Sequence, residues 1–172
     1  IMKKIFLLLF VLTFYNVNAQ KIGALAGFTS QIVDVDDASS ESESGFHLGV
    51  FTHFDLSEKI GLQPEVTYSS VEDLSMISVN GIFKYHATDA LNVQLGPQIG
   101  FAGGDGIDAL ETLLGDDFTK LNLQLAVGLG YSFSDNFMAQ ARYGFQLNDH
   151  YTGDLDGGIK INTLSIGIGY TF

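Results

Sequence analysis

The sequence lacks cysteine and tryptophan and is poor in basic residues. Without cysteine it can form no disulfide, thiolate metal site or cysteine nucleophile, and it offers no cysteine for lipid modification. Twenty acidic residues against eight basic ones give a formal net charge of −12. This charge argues against nucleic-acid binding, because contact with phosphates needs clustered lysine and arginine. Charged residues make up only 16% of the chain, whereas soluble domains usually contain about 25%.

The first 19 residues have the layout of a secretory signal peptide. Lys3 and Lys4 form a short positive region, residues 5–15 are an apolar run, and cleavage is predicted after Ala19. The apolar run of 11 residues is too short for a membrane-spanning helix, which needs about 20. We therefore expect a signal peptide at residues 1–19 and one mature domain at residues 20–172.

Apolar and polar residues alternate along most of the chain after residue 20, and this period of two is typical of β-strands. Segments of about ten residues match the length of a strand that crosses a bilayer at a tilt. The apolar side of these segments carries no charge. The predicted strands cover residues 21–30, 46–54, 60–68, 77–85, 91–101, 121–133, 137–147 and 163–172.

The direction in which the two sides of the strands point decides between two kinds of barrel. An eight-stranded barrel has room only for its own side chains, and the Gly, Gln, Asn, Ser and Thr side fits that space better than the bulky apolar side. We therefore predict an all-β fold, an eight-stranded antiparallel up-and-down transmembrane β-barrel. A soluble lipocalin-like barrel that binds an apolar ligand is the alternative. Aromatic residues near the strand ends fit membrane girdles, with Phe46, Tyr68, Phe101 and Phe145 at one rim and Phe54, Tyr85, Phe133, Phe137 and Tyr170 at the other.

Both prolines fall inside predicted strands. Pro64 and Pro97 each delete a hydrogen bond of the ladder, and a closed barrel has no edge strand to accommodate them. We therefore expect a β-bulge at each proline.

The connections between the strands alternate in length. Residues 31–44, 102–119 and 148–158 form long connections and residues 70–75 a shorter one, whereas the others span only a few residues. Outer-membrane barrels have long external loops and short periplasmic turns, so both termini are expected in the periplasm. The predicted external loops hold 15 of the 20 acidic residues, which predicts an acidic outer surface.

Several segments resemble a known family. Residues 164–172 resemble the C-terminal signal of outer-membrane barrels, in which alternating apolar residues end on aromatic positions, here Tyr170 and Phe172. Residues 62–65, 95–101 and 141–144 resemble recurring strand phrases of the outer-membrane beta-barrel domain family, the PorT-like "porin family" group. That group is similar in architecture to the small OmpX and OmpA barrels. The resemblance covers about residues 20–172 and implies an outer-membrane location and contact with lipid, lipopolysaccharide and the barrel assembly machinery.

Three charged residues lie on the side of the strands that is predicted to face the lumen: Glu65, Lys84 and Arg142. A buried ion without a partner costs several kcal/mol, so we expect a polar network that plugs the barrel. A path for protons or ions is the alternative. An eight-stranded barrel leaves no aqueous channel of porin size.

Two loop segments have partial matches to calcium-binding patterns. Residues 103–111 match one calcium nonapeptide repeat, but that motif works through many stacked copies. Residues 154–157 match part of an EF-hand loop without the ligand at its twelfth position. Asp105, Asp108, Asp154 and Asp156 are therefore only weak candidates for a Ca²⁺ site, and no other cofactor is expected. Residues 107–114 are predicted to form one or two helical turns above the barrel.

No pattern in the sequence indicates catalysis. The chain contains no nucleophile elbow, zinc-protease helix or phosphate-binding loop. The leading hypothesis is a non-enzymatic outer-membrane barrel that serves envelope structure or surface interaction through acidic loops. The alternatives are a transport or secretion-accessory component, the soluble barrel and a surface calcium binder. No pattern identifies a surface partner.

Overall fold

The computed structural model describes residues 21–35, 41–153 and 158–172, so the predicted signal peptide lies outside the described part. Eight strands form one closed antiparallel barrel in which each strand pairs with its neighbours in the sequence and β1 pairs with β8. No helix among the described residues is long and apolar enough to cross a membrane. The strands are β1 (Lys21–Val35), β2 (Glu41–Asp55), β3 (Ile60–Val71), β4 (Leu74–His86), β5 (Leu91–Gly103), β6 (Leu121–Ser132), β7 (Phe137–Gln146) and β8 (Ile159–Thr171).

The apolar side of the strands faces outward, as predicted. Val50 and Val79 are each 58% exposed, although both lie well inside continuous strands. The buried residues are mostly polar, with glutamine and asparagine the most frequent, because the opposite side of every strand closes onto the lumen. This arrangement is the reverse of a soluble barrel, so the lipocalin-like alternative is wrong. The exposed apolar residues include Phe46, Leu48, Val66, Ile77, Val79, Leu95, Ile99, Leu129, Ile166 and Ile168.

Several strands are longer than predicted, and the loops are correspondingly shorter. The predicted loop at 31–44 is largely strand, since Val33 pairs with Glu41 across the β1–β2 ladder. The predicted loop at 70–75 narrows to Glu72 and Asp73 between β3 and β4. Backbone pairing does not need apolar side chains, so the strands continue past the belt of outward-facing apolar residues. The alternation of apolar and polar residues therefore stops before the strand ends.

The expected bulge at Pro64 is absent. In the β2–β3 ladder Phe51 pairs with Glu65 and Phe54 pairs with Leu62, so the register is the same on both sides of the proline. The two pairs between them are missing from the ladder. The missing N–H of Pro64 is therefore accommodated by a local gap and not by an extra residue.

Pro97 is accommodated in the same way. The β4–β5 ladder pairs Asn80 with Gln98 and Phe83 with Leu95 without a change of register, and the pairs between them are missing. On its other side Pro97 pairs with Leu125 of β6. The prediction of bulges was wrong because the ladder bonds on both sides of each proline are sufficient to hold the strands in register.

The two ends of the barrel differ. We call the end with the connections 56–59, 87–90 and 133–136 the turn end, where Lys21 and Phe172 also lie, and the opposite end the loop end. The loop end carries helix α1 (Asp105–Leu114) and a 3₁₀ helix (Gly115–Asp117), which confirms the predicted helical turns. Ile107 of α1 is fully buried in an apolar cluster with Met76, Ala102 and Ile161. This cluster packs α1 against the mouth of the barrel.

Candidate functional site

The lumen contains a buried ion pair halfway along the barrel. Arg142 donates two hydrogen bonds to the Glu65 carboxylate, from its two terminal nitrogens, at 2.7 and 2.6 Å. The side chains of Arg142 and Glu65 are 4% and 0% exposed. Two parallel N–H···O bonds between a guanidinium and a carboxylate combine full charge with fixed geometry. Because both ions are satisfied by each other, the pair can remain charged in a closed lumen.

Amide side chains complete this ion pair. Arg142 also donates to Gln94 (2.5 Å) and Gln140 (2.6 Å). Glu65 accepts further hydrogen bonds from Gln63 (2.5 Å) and Asn80 (3.3 Å). These four amides were not among the residues predicted for the network. The feature of the sequence that could have indicated them is the repeated occurrence of Gln and Asn on the inward side of β3 to β7. Four of these amides donate to Glu65 or accept from Arg142.

The fold explains why residues 77 positions apart meet. β3 and β7 are separated by three strands in either direction around the barrel, so they face each other across the lumen. Gly128, the partner of Arg142 in the β6–β7 ladder, leaves room for the guanidinium stem. A Cβ at Gly128 would lie 2.7 Å from Cγ of Arg142 and 2.3 Å from the carbonyl oxygen of Ala141. The glycine-rich inner side therefore positions the long side chain.

A second polar cluster closes the lumen at the loop end. His150, fully buried, donates from Nδ1 to the carbonyl of Thr119 (2.6 Å), and its Nε2 lies 3.3 Å from the Asn122 amide. The ring stacks on Phe118 with a centroid distance of 5.8 Å. Gln146 accepts from Asn122 at 2.9 Å. Burial lowers the pKa of His150 below its usual value of 6.5, which favours the neutral ring that this geometry requires.

The remaining space in the lumen is small and divided. A cavity of about 40 Å³ lies beside Glu65 and Arg142 toward the loop end, which is room for only a few water molecules. A larger cavity of about 220 Å³ opens at the turn end. Lys84 lines this second cavity and is 3% exposed. The structure thus brings Glu65 and Arg142 together, whereas Lys84 lies apart and donates to the Met138 thioether at 3.5 Å.

The candidate calcium ligands are not assembled into a site in the described part of the chain. Asp105 and Asp108 lie in the first turn of α1. Asp108 forms an ion pair with Lys120 at 3.0 Å, and Lys120 also pairs with Glu111 at 2.9 Å. Among the described residues no group of three or more His, Asp or Glu side chains could hold a metal ion. Asp154 and Asp156 lie outside the described residues.

The C-terminal aromatic residues lie at the turn end. Tyr170 pairs with Phe137 in the β7–β8 ladder, and the two rings are 4.8 Å apart. Phe172 contacts the Tyr170 ring at 5.4 Å and is 78% exposed. At the other end Phe46 and Tyr68 lie 6.5 Å apart. Outward-facing aromatics therefore occur toward both ends of the barrel, as in the girdles of membrane barrels.

Comparisons with known proteins agree with this architecture. The profile of the outer membrane protein beta-barrel domain matches residues 5–172. Among solved structures, Neisserial surface protein A is similar with a TM-score of 0.56 and 16% identity, over 88% of this chain and 97% of that chain. Ail, the attachment invasion locus protein of Yersinia pestis, is similar with a TM-score of 0.54 and 19% identity, over 88% and 98%. Comparison with curated protein sequences found no match. The two structures share the fold, and the profile match establishes that the chain belongs to the outer membrane protein beta-barrel domain family.

Proposed function

We propose that the protein is a non-enzymatic outer-membrane barrel that serves envelope structure or surface interaction, with its loop end outside the cell and both termini in the periplasm. The closed lumen carries this proposal. The ion pair of Glu65 and Arg142 and its amide partners bridge the lumen from β3 to β7, and the cavity beside them measures only about 40 Å³. A barrel closed in this way acts through its surfaces, which are the apolar band toward lipid and the exposed loop end.

The charge of the loop end supports a surface role. The predicted external loops contain 15 of the 20 acidic residues, and in the described part Asp116 and Asp117 are exposed beside α1. Clustered like charges raise the local potential and attract cationic groups on a partner. Lipopolysaccharide, whose phosphates are bridged by divalent cations, is a partner that fits the acidic loop end. The two similar structures, a surface protein and an attachment invasion locus protein, are consistent with such a role.

Cell fractionation tests the location and the closed barrel. The protein is expected in the outer-membrane fraction, and its band on an SDS gel is expected to shift when the sample is boiled, since a closed barrel resists detergent until heated. Trypsin added to intact cells should cleave after Lys120, which ends the loop-end segment 104–120. It should not cleave after Lys59 at the turn end. A soluble band without a heat shift, or cleavage at Lys59 alone, would contradict the proposed placement.

Conductance in a planar bilayer separates this proposal from a transport or secretion-accessory role. The refolded protein is expected to give no sustained discrete channels, because the ion pair and its amides obstruct the lumen. The matched control is a sample of the same protein that was boiled before addition. Sustained channels in the unboiled sample alone would contradict the closed barrel and favour transport.

Binding of a cationic probe tests the acidic rim. Polylysine is expected to bind cells that display the protein, and a variant with Asp105→Asn, Glu111→Gln, Asp116→Asn and Asp117→Asn is expected to bind less. The matched control is Asp55→Asn, Glu58→Gln, Asp89→Asn and Asp135→Asn, which removes four acidic residues from the turn end. Equal loss of binding in both variants would show that the loop end is not the surface that binds the probe.

A further inference from the structure

Among the described residues, the turn-end cavity is the larger of the two cavities that lie inside the barrel. It has a volume of about 220 Å³ and opens beside the connections 87–90 and 133–136. Drug-sized ligands need about 300 Å³ or more, so this space suits a smaller molecule. Lys84, Gln63 and Asn92 line it and are each almost fully buried, whereas Asp89 and Asp135 line its exposed mouth.

Lys84 is a buried cation without an anionic partner. No carboxylate of the described residues forms an ion pair with it, and its hydrogen bond goes to the Met138 thioether, a weak acceptor. A buried ammonium needs charged or strongly polar acceptors to compensate for lost hydration. The ammonium carries three N–H donors, so a carboxylate could accept from it without disturbing Met138.

Two neighbouring amides offer a complementary pair of polar atoms. Asn92 accepts from Gln94 through Oδ1 at 2.9 Å, and within the described part its Nδ2 has no acceptor. Gln63 donates to Glu65 through Nε2, while its Oε1 is buried without a hydrogen-bond partner among the described residues. The first amide can donate to an anion and the second can accept from an N–H or O–H group. Both lie on strands of the barrel, so their positions are fixed by the ladder.

We propose that the turn-end cavity binds a small carboxylate that also bears a hydroxyl or amino donor. The carboxylate accepts from Lys84 and Asn92, and the donor group bonds to Oε1 of Gln63. The mouth carries three carboxylates, Asp55, Asp89 and Asp135, against one lysine, Lys21, and its net negative charge opposes anions in proportion to their charge, so a singly charged carboxylate is favoured over sulfate or phosphate. This site is independent of the surface role proposed for the loop end.

Methyl NMR of the full chain refolded in detergent micelles tests this site, with lactate as the probe. The reporter is the methyl of Met138, whose sulfur lies 3.5 Å from Lys84, and the internal control is Met76 beside the separate central cavity. Lactate is expected to shift the Met138 signal saturably in the millimolar range while Met76 stays unchanged. Propionate, which lacks the hydroxyl, is expected to bind more weakly, and sulfate is expected not to bind.

Two variants assign the effect to Lys84. Lys84→Leu is expected to weaken lactate binding by about tenfold or more, as expected for loss of a charged hydrogen bond. The matched control is Lys21→Leu, which removes the lysine at the cavity mouth and is expected to change the affinity by less than about twofold. An unchanged affinity in Lys84→Leu would overturn the proposal. If Lys84→Leu fails to fold, the wild-type titration still decides, since a Met138 signal that does not respond to lactate overturns the proposal.

Discussion

Arg142 and Lys84 are two buried cations in one lumen, and they differ in what surrounds them. Arg142 is 4% exposed and is bonded to Glu65, Gln94 and Gln140. Lys84 is 3% exposed and bonds to the Met138 thioether beside a cavity of about 220 Å³. The two cations are therefore equally buried, but the charge of Arg142 is offset by its partners and the charge of Lys84 is not.

This difference divides the lumen into a structural half and an unfilled half. Around Arg142 and toward the loop end, amides and the buried His150 are joined by hydrogen bonds, so that part of the lumen holds the barrel walls together. Oδ1 of Asn80 and Oδ1 of Asn122 accept no hydrogen bond there among the described residues. Around Lys84, polar groups face open space. Of two equally buried cations, one can thus stabilise the barrel and the other weaken it. The partners of the cation decide which, and its burial does not.

The largest expected effect comes from breaking the central ion pair. Glu65→Ala is expected to lower the free energy of unfolding by about 3–5 kcal/mol, because it leaves the buried Arg142 guanidinium without a counter-charge. Urea unfolding of the refolded barrel in lipid vesicles measures this loss. The matched control is Glu58→Ala in an exposed turn, which should stay within about 0.5 kcal/mol of wild type. Equal losses in both variants would mean that the pair does not support the barrel.

Removing Lys84 is expected to have the opposite sign. Lys84→Met replaces an uncompensated ammonium with an apolar side chain of similar length, so the ligand-free barrel should become more stable by about 1–3 kcal/mol. The same urea measurement applies, with Lys21→Met at the cavity mouth as the control that should change little. If Lys84→Met lost as much stability as Glu65→Ala, Lys84 would be as well compensated as Arg142, and the proposed difference between the two cations would be wrong.

The sequence predicted the sides of the strands well and the contacts within the lumen incompletely. Period-two alternation reveals which residues point inward, so Glu65, Lys84 and Arg142 could all be assigned to the lumen side. It does not reveal their heights along the barrel axis, which depend on the strand register and tilt. Two cations on the same side of their strands therefore looked equivalent, although only Arg142 lies level with Glu65.

The remaining errors have local causes. A proline does remove one hydrogen bond from a strand ladder, and on that ground a bulge was expected at Pro64 and at Pro97. The residue pairs on both sides of each proline keep the register, so no bulge forms. Strand ends beyond the apolar band carry polar residues on both sides, as in residues 41–44, so no alternation marks them. Amide partners such as Gln94 are indistinguishable in sequence from other polar residues of the inner side.

Acidification is expected to weaken the loop end before it affects the central ion pair. The pKa of His150 in the folded protein lies below its usual value of 6.5, so the unfolded chain takes up a proton first as the pH falls. The stability that the neutral ring contributes is complete above about pH 6.5 and is lost as the pH falls from there toward the lowered pKa. The hydrogen bond to the Thr119 carbonyl and the charge of Asp149 oppose this lowering of the pKa in part.

Urea unfolding of wild type and His150→Gln measures this effect at several pH values. The difference in free energy of unfolding between the two proteins should be largest near neutral pH and should shrink on acidification. His86→Gln at the turn end is the matched control, because it also removes one histidine but leaves the loop-end cluster intact. A difference that does not change between about pH 7.5 and 5.5 would contradict a stabilising role of the neutral His150 ring.

The smallest expected effect concerns the exposed ion pairs on α1. Lys120 bonds to Asp108 and Glu111, and these carboxylates raise its pKa, but all three groups are in contact with water. Lys120→Met should therefore make cleavage of the segment 104–120 by an acidic-site protease only slightly faster at low salt. The difference should vanish at about 1 M salt, where charges are screened over about 3 Å. Lys59→Met at the turn end controls for the change in net charge. A large, salt-resistant increase would instead mean that Lys120 anchors α1, a role that the buried Ile107 and its apolar cluster already fill.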